Sequence, residues 1–360
     1  MGNHARRHQH SPRADRCAAG HLSPLVMGQP RMSRLAGGDH GRVGFQLMRL
    51  RRLGRTELSV SECTLGTSAL KGLDMTEASR RLALAFDHGI NAVEMDAGDG
   101  VAASFLAEVF RREGVRQSVH VFARVSSLVP FDLPSPHILV QQAYPGRHIQ
   151  AETEALLDAL GVERLALQQL HAWCPEWLRE GDWAETFERL REEGKIAGHG
   201  VSLFDHDVDA GLEAVASGRI DAVQVMYNIF DPAAATTLLP LCRKHDVGVI
   251  ARSPLYYGAL ASVADKLRRL APEDWRSGYF FDEHRRETVE RVQSLAREIA
   301  PQGRSVSDLA LRFSLSHPAV STVAVGMRTR AQVEANMQAL RRGGLRDEEL
   351  RQLAGHAWLC

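Results

Sequence analysis

Three carboxylates, Glu94, Asp96 and Asp99, follow one another in the segment Gly89-Ile90-Asn91-Ala92-Val93-Glu94-Met95-Asp96-Ala97-Gly98-Asp99-Gly100. A partly buried carboxyl group can have its pKa raised toward neutral pH, where it serves as an acid or a base. Arg124 ends the run Val121-Phe122-Ala123-Arg124. Its guanidinium stays charged at any relevant pH and is a poor proton source, but its planar fork grips carboxylates. His171 follows Gln169-Leu170, and imidazole is the side chain suited to proton transfer near neutrality. Plainer readings stand beside these: Glu94 and Arg124 as an ion pair, and His171 as a packed side chain at a strand end. Cys174 has no base beside it in sequence, which argues against a nucleophile.

The elements that would position these groups alternate along the chain. Short apolar runs predict strands near 62–65, 90–95, 119–125, 165–170, 196–201, 222–225, 248–251 and 321–325. Helical periodicity fills the gaps over 77–87, 103–112, 149–160, 183–193, 208–216, 234–244 and 331–340. Strict strand–helix alternation calls for a parallel sheet, and eight units call for a closed (β/α)8 barrel of the TIM type. A run such as Ala222-Val223-Gln224-Val225 suits a strand buried on both faces. A hairpin is expected to cap the N-terminal end, with 50–53 and 58–60 flanking the turn Gly54-Arg55-Thr56. Two irregular stretches, 126–146 and 255–281, fall after the third and seventh strands, where barrel sites form. The second carries Tyr256, Tyr257, Trp275, Tyr279 and Phe280, which could equally be a small core for a long loop.

The chain of 360 residues carries 44 Lys and Arg against 44 Asp and Glu. This balance favours neither nucleic acid nor an anionic membrane as partner and leaves a small molecule as the expected ligand. No apolar run reaches membrane-spanning length. The five cysteines show no paired spacing and read as reduced thiols of a cytoplasmic protein, with no metal site. Residues 1–47 differ in kind: rich in Arg and His, acidic only at Asp15 and Asp39, and without a periodic apolar face. They are read as a disordered or non-native extension, with the barrel domain spanning 48–360 and Met48 as a candidate start.

Several groups of residues recur in a familiar order. Leu53-Gly54-Arg55-Thr56 with Leu58, Val60 and Ser61 precedes Leu65-Gly66-Thr67. Gln169-Leu170-His171, then Gly194-Lys195-Ile196 and Gly200-Val201-Ser202, come next. Gln224 with Tyr227-Asn228, Ser253-Pro254-Leu255 with Gly258 and Leu260, and Gly326 with Arg328, Gln332 and Asn336 complete the set. From Leu53 to Asn336 the chain resembles the aldo-keto reductase family. The resemblance implies a nicotinamide cofactor on a strip that begins with Gly66 and Thr67. Ser202 and Gln224 match residues holding the carboxamide, Tyr227 the aromatic that stacks on the ring, and Ser253, Leu255, Gly258 and Leu260 the loop under the pyrophosphate. Arg328, after Gly326, matches a cation pairing with a 2′-phosphate, which favours NADPH (the NADP couple). Gln332 and Asn336 match residues contacting adenine.

The family's catalytic tetrad is Asp, Tyr, Lys and His. Aligned without gaps, this chain offers Glu94 for Asp, Asp99 for Tyr and Arg124 for Lys, and keeps His171. Asp99 beside Arg124 would be a stabilised carboxylate and a poor acid near pH 7. Asp96 could do the work of Glu94 if the strand ends irregularly. Trp173 and Cys174 could line the substrate side. Three readings stay open. One is an NADP-dependent oxidoreductase with a non-standard proton donor, His171 or Glu94, acting on a carbonyl or alcohol of a sugar-like or acidic small molecule. The others are a non-redox lyase or isomerase and a catalytically inactive NADPH-binding protein.

Overall fold

A computed structural model describes residues 48–130, 138–261, 267–299 and 303–359; the extension 1–47 lies outside the described residues. Two antiparallel strands open it, β1 (Leu50–Arg52) and β2 (Ser59–Ser61). Eight parallel strands then close into a barrel: β3 (Cys63–Gly66), β4 (Ala92–Asp96), β5 (His120–Val125), β6 (Leu167–Leu170), β7 (His199–Ser202), β8 (Ala222–Met226), β9 (Gly248–Arg252) and β10 (Val320–Gly326). The strand order follows the chain, with β10 pairing both β9 and β3. This is the (β/α)8 TIM barrel with an N-terminal hairpin.

The hairpin is a plug. Its Leu53, Leu58 and Val60 form one apolar cluster with Ala92, Phe122, Leu167, Ala222, Ile250 and Ala324 of the barrel strands. The turn at Gly54 has φ +52°, and a Cβ there would stand 2.1 Å from the Gly248 nitrogen, so only glycine fits against β9. A second, larger core lies between the strands and the surrounding helices.

Because side chains alternate along a strand, the residues two steps beyond that plug face the same way. Glu94 follows Ala92, Arg124 follows Phe122, Gln169 follows Leu167, Gln224 follows Ala222, Arg252 follows Ile250, and Gly326 follows Ala324. The barrel thus changes from an apolar floor to a polar layer within two residues. Helix starts around this rim are capped by side chains: Asp74 on Met75–Asp87, Asp99 on Gly100–Glu113, Ser305 on Val306–Ser316 and Thr329 on Arg330–Arg341. The helices Asp282–Ile299, Val306–Ser316 and Asp347–Ala354 add to those the periodicity predicts.

Candidate active site

A cavity of about 1210 Å³ opens at the carboxyl ends of the strands, above the 300–1,000 Å³ or so of ordinary small-molecule sites. Glu94, Asp96, Arg124 and His171 meet in it. Arg124 Nε stands 2.8 Å from Glu94 Oε1, and its Nη2 stands 2.8 Å from Asp96 Oδ1. Both are ion pairs by distance whose angles miss hydrogen-bond geometry, so Arg124 Nε and Asp96 Oδ1 keep bonding capacity. His171 Nδ1 lies 3.5 Å from the same Asp96 oxygen. A buried amide chain continues below: Gln169 Nε2 donates to Gln224 Oε1 at 3.2 Å, and Gln224 Nε2 to Glu94 Oε1 at 3.5 Å. Gln169 Oε1 is buried without a hydrogen-bond partner.

The expected pairing of Asp99 with Arg124 is corrected here. Asp99 Oδ1 accepts from the Ala102 N–H at 3.0 Å and caps the following helix. Strand β4 runs one residue further than its apolar run, and Asp96 shares the parity of Glu94, so Asp96 sits opposite Arg124 in the sheet register. The carboxylate on the arginine is therefore Asp96. Trp173 and Cys174 are a second correction. Both are buried, the Trp173 ring 5.3 Å from Trp183 and its Nε1 donating to the Ala210 carbonyl at 3.0 Å. Trp173 belongs to the larger core, packed edge-on against Trp177 and Trp183.

Burial, with the positive charge of Arg124 added, lowers the His171 pKa to about 4, against a rise from Asp96. The imidazole is therefore neutral at physiological pH. Glu94 Oε1 is the ion-pair partner of Arg124 Nε.

Across the cavity the lining changes character. Gly66, Ser202, Gln224, Ser253, Leu255, Gly258, Gly326, Arg328 and Gln332 all border it. Thr67, Tyr227, Leu260 and Asn336 are buried next to this strip and do not line the cavity. Burial pushes the Tyr227 hydroxyl up to about 12, and its ring lies 5.2 Å from Phe313. Gln332 closes a capping box: its Oε1 accepts from the Arg328 N–H at 2.8 Å and the Thr329 N–H at 3.1 Å. The Arg328 guanidinium is exposed, and among the described residues its hydrogen bond is a 3.4 Å contact to the Lys71 carbonyl.

The long stretch after β9 divides between the two readings of its aromatics. Tyr257, Trp275 and Tyr279 line the cavity, while Tyr256 and Phe280 are buried in a local core. Two polar clusters lock this wall. Arg252 pairs with Asp205 and donates to the Leu203 carbonyl at 2.7 Å, and Tyr257 donates to Asp205 at 2.5 Å. His206 bridges Asp231 and the Tyr279 hydroxyl, each at 2.8 Å. His206, Ser253, Tyr256 and Tyr257 all hold left-handed backbone at φ 61°, 53°, 45° and 52°. Such conformations persist in non-glycine residues only where surroundings over-determine them, and they gather at ligand sites. Asp205, His206 and Arg252 carry no signal in the sequence beyond standing at strand ends. Among the described residues no group of three or more His, Cys, Asp or Glu is placed to hold a metal.

Comparison with known proteins gives this geometry a family. A sequence model of the Aldo/keto reductase family matches residues 62–357. The uncharacterized oxidoreductase YqkF of Bacillus subtilis is 26% identical over 312 residues, covering 86% of this chain and 96% of that protein. The NADH-specific methylglyoxal reductase of Escherichia coli is 26% identical over 308 residues, covering 80% and 92%. In structure, the holo form of the aldo-keto reductase AKR11C1 from Bacillus halodurans superposes with a TM-score of 0.69 at 27% identity, covering 87% of this chain and 97% of that one. With the matched segment running from the first barrel strand to beyond the last, the chain belongs to the aldo/keto reductase family of oxidoreductases.

Proposed function

We propose that this protein is an NADP-dependent oxidoreductase that moves hydride to or from the carbonyl or alcohol carbon of a polar small molecule. The observation that carries this reading is that one cavity is bordered at once by the charged cluster of β4–β6 and by the strip from Ser253 to Gln332. That strip suits a dinucleotide. Gly258, at φ +94°, has among the described residues just Arg276 Nη1 within reach of a Cβ, at 3.4 Å, which leaves its backbone approachable by an anion. Ser202 and Gln224 place hydroxyl and amide groups at the centre, fit for a carboxamide. Arg328 would pair with a 2′-phosphate. When bound, the nicotinamide supplies hydride. The protein's own residues then orient the substrate oxygen and manage its proton.

The charge balance of the cluster refines the substrate. Glu94 and Asp96 already occupy Arg124, and His171 is neutral, so the cluster is net negative. A hydroxylated, sugar-like carbonyl suits it better than an acidic one. Arg124→Lys should then leave substrate affinity little changed; a large loss would restore the acidic substrate. A cytoplasmic setting belongs to the same proposal; among the described residues no helix is long and apolar enough to cross a membrane.

A second reading, cofactor binding without turnover, has a specific observation in its favour: Glu94 is tied to Arg124, and His171, with its pKa lowered, is not a ready proton donor near neutral pH. The deciding experiment titrates the protein with NADPH and NADH by fluorescence, then follows cofactor absorbance with a panel of aldehydes, ketones and sugars. Saturable binding and substrate-dependent oxidation of NADPH support the oxidoreductase. Binding without oxidation supports the second reading. Turnover with no absorbance change points to lyase or isomerase chemistry. The relative named as NADH-specific makes the comparison of the two cofactors the sharpest part of the test.

A further inference from the structure

We propose that the hydroxyl of Tyr144 is the proton donor of this site. The inference rests on the oxidoreductase reading and names the group that reading leaves open. Tyr144 lies between β5 and the helix Gly146–Leu160, in the irregular stretch after the third barrel strand. It lines the cavity together with Asp96, Arg124 and His171. Its ring is 1% exposed and meets Trp177 edge-on, with centroids 5.6 Å apart. Its hydroxyl oxygen accepts from the Ala172 N–H at 3.0 Å, the backbone position directly after His171. That bond fixes the oxygen and leaves the proton free to be given. Among the described residues the hydroxyl proton has no acceptor. A buried donor without an acceptor is rare enough to call for a reason.

The other groups of the cluster are excluded one by one. Arg124 does not release a proton. Glu94 and Asp96 are both engaged by Arg124, each 2.8 Å from its guanidinium. Asp99 is a helix cap. His171 is unprotonated near neutral pH.

The step balances simply. As hydride from a reduced nicotinamide reaches the carbonyl carbon, the π pair moves onto oxygen. The Tyr144 O–H bond breaks and the proton completes an alcohol. The phenolate left behind regains a proton from water. An alkoxide is the conjugate base of an acid far weaker than a phenol, so the transfer runs downhill even for a buried tyrosine. Burial raises the Tyr144 pKa, while the Ala172 N–H and the charge of Arg124 oppose the rise. The two lowering groups are those that would stabilise the phenolate.

The test is Tyr144→Phe, which keeps the ring against Trp177. The expected result is a fall in kcat of at least about 100-fold with KM and NADPH affinity near wild type. Wild-type kcat in the variant overturns the assignment and leaves the oxidoreductase reading standing. A wild-type protein that binds NADPH but reduces nothing overturns both. A readout without cofactor comes from ¹³Cζ-tyrosine NMR. The resonance missing in Tyr144→Phe should move when Asp96→Asn is introduced. A resonance indifferent to that change would put the hydroxyl away from the cluster and sink the assignment.

Discussion

Of the four arginines that border the cavity, Arg124 and Arg328 are held in opposite ways. Arg124, at the end of β5, has a side chain only 14% exposed and stands 2.8 Å from each of two carboxylates. Arg328, two residues past β10, is exposed, and among the described residues its guanidinium hydrogen bond is a 3.4 Å contact to the Lys71 carbonyl, with Asp274 in its electrostatic reach. A buried cation must be neutralised by the fold itself, because desolvation would otherwise cost several kcal/mol. A cation at a rim is kept solvated by water until an anion arrives. The first side of the cavity is therefore neutralised by the fold itself, and the second offers an exposed cation, as the proposed cofactor reading requires. The contrast says that loss of Arg124 should be felt in stability and loss of Arg328 in binding.

Arg124→Leu breaks that contrast most severely. It strands Glu94, whose side chain is 8% exposed and whose remaining hydrogen bond among the described residues is the 3.5 Å one from Gln224. Breaking such a pair costs about 3 kcal/mol or more, to be read as a lower midpoint in urea unfolding. An unchanged midpoint would show that the pair is solvated and the contrast false. Arg328→Ala should leave the midpoint where it is. It should weaken NADPH binding roughly 10- to 100-fold, as expected for one charge-assisted contact, with little effect on NADH. Equal losses for both cofactors would mean that Arg328 does not meet the 2′-phosphate.

The same division explains what the sequence discloses. All eight strands are legible as apolar runs, yet six of them extend one residue beyond the run, to Gly66, Asp96, Ser202, Met226, Arg252 and Gly326. Hydrophobicity ends where the polar layer begins, but the backbone ladder of a parallel sheet does not. The residues clipped in this way include Asp96 and Arg252, two of the groups that organise the cavity. The strip proposed for the dinucleotide is readable because it is local: Ser253, Leu255 and Gly258 fall within one short segment, and all three border the cavity. Tyr144 is invisible for the opposite reason. Its position depends on a loop crossing to the end of β6 and on a backbone donor at Ala172, a relation between distant segments that no spacing records. Asp99 misleads because a carboxylate before a helix serves equally as a cap.

That last point gives a smaller, sharper test. As a cap, Asp99→Ala should cost about 1 kcal/mol of stability and leave NADPH affinity and kcat within twofold or so of wild type. Asp99→Asn should recover most of the stability, since an amide oxygen caps nearly as well. A variant that keeps its stability but loses turnover would return Asp99 to the chemistry and displace Asp96 from it.

The smallest expected effect concerns His171, where the sign is decisive. Its folded pKa, about 4, lies below the ordinary value of roughly 6.5. Between those limits the unfolded chain binds a proton that the native protein refuses, so stability rises with pH across this window. The contribution is fully present above pH 6.5 or so and fades as the pH falls toward about 4. Because the ring is 41% exposed, water in the cavity screens it, and the effect should not exceed about 1 kcal/mol. Burial lowers His88, His120, His199, His284 and His317 as well, so the telling quantity is the difference between wild type and His171→Gln. The variant should show the shallower loss of stability between pH 6.5 and 4. Parallel curves would mean that the imidazole titrates normally. It would then be partly protonated near neutral pH, and His171 would compete with Tyr144 for the proton of the reaction. A limb near pH 6.5 in the kcat/KM profile, abolished by His171→Gln, would decide that competition in favour of the histidine.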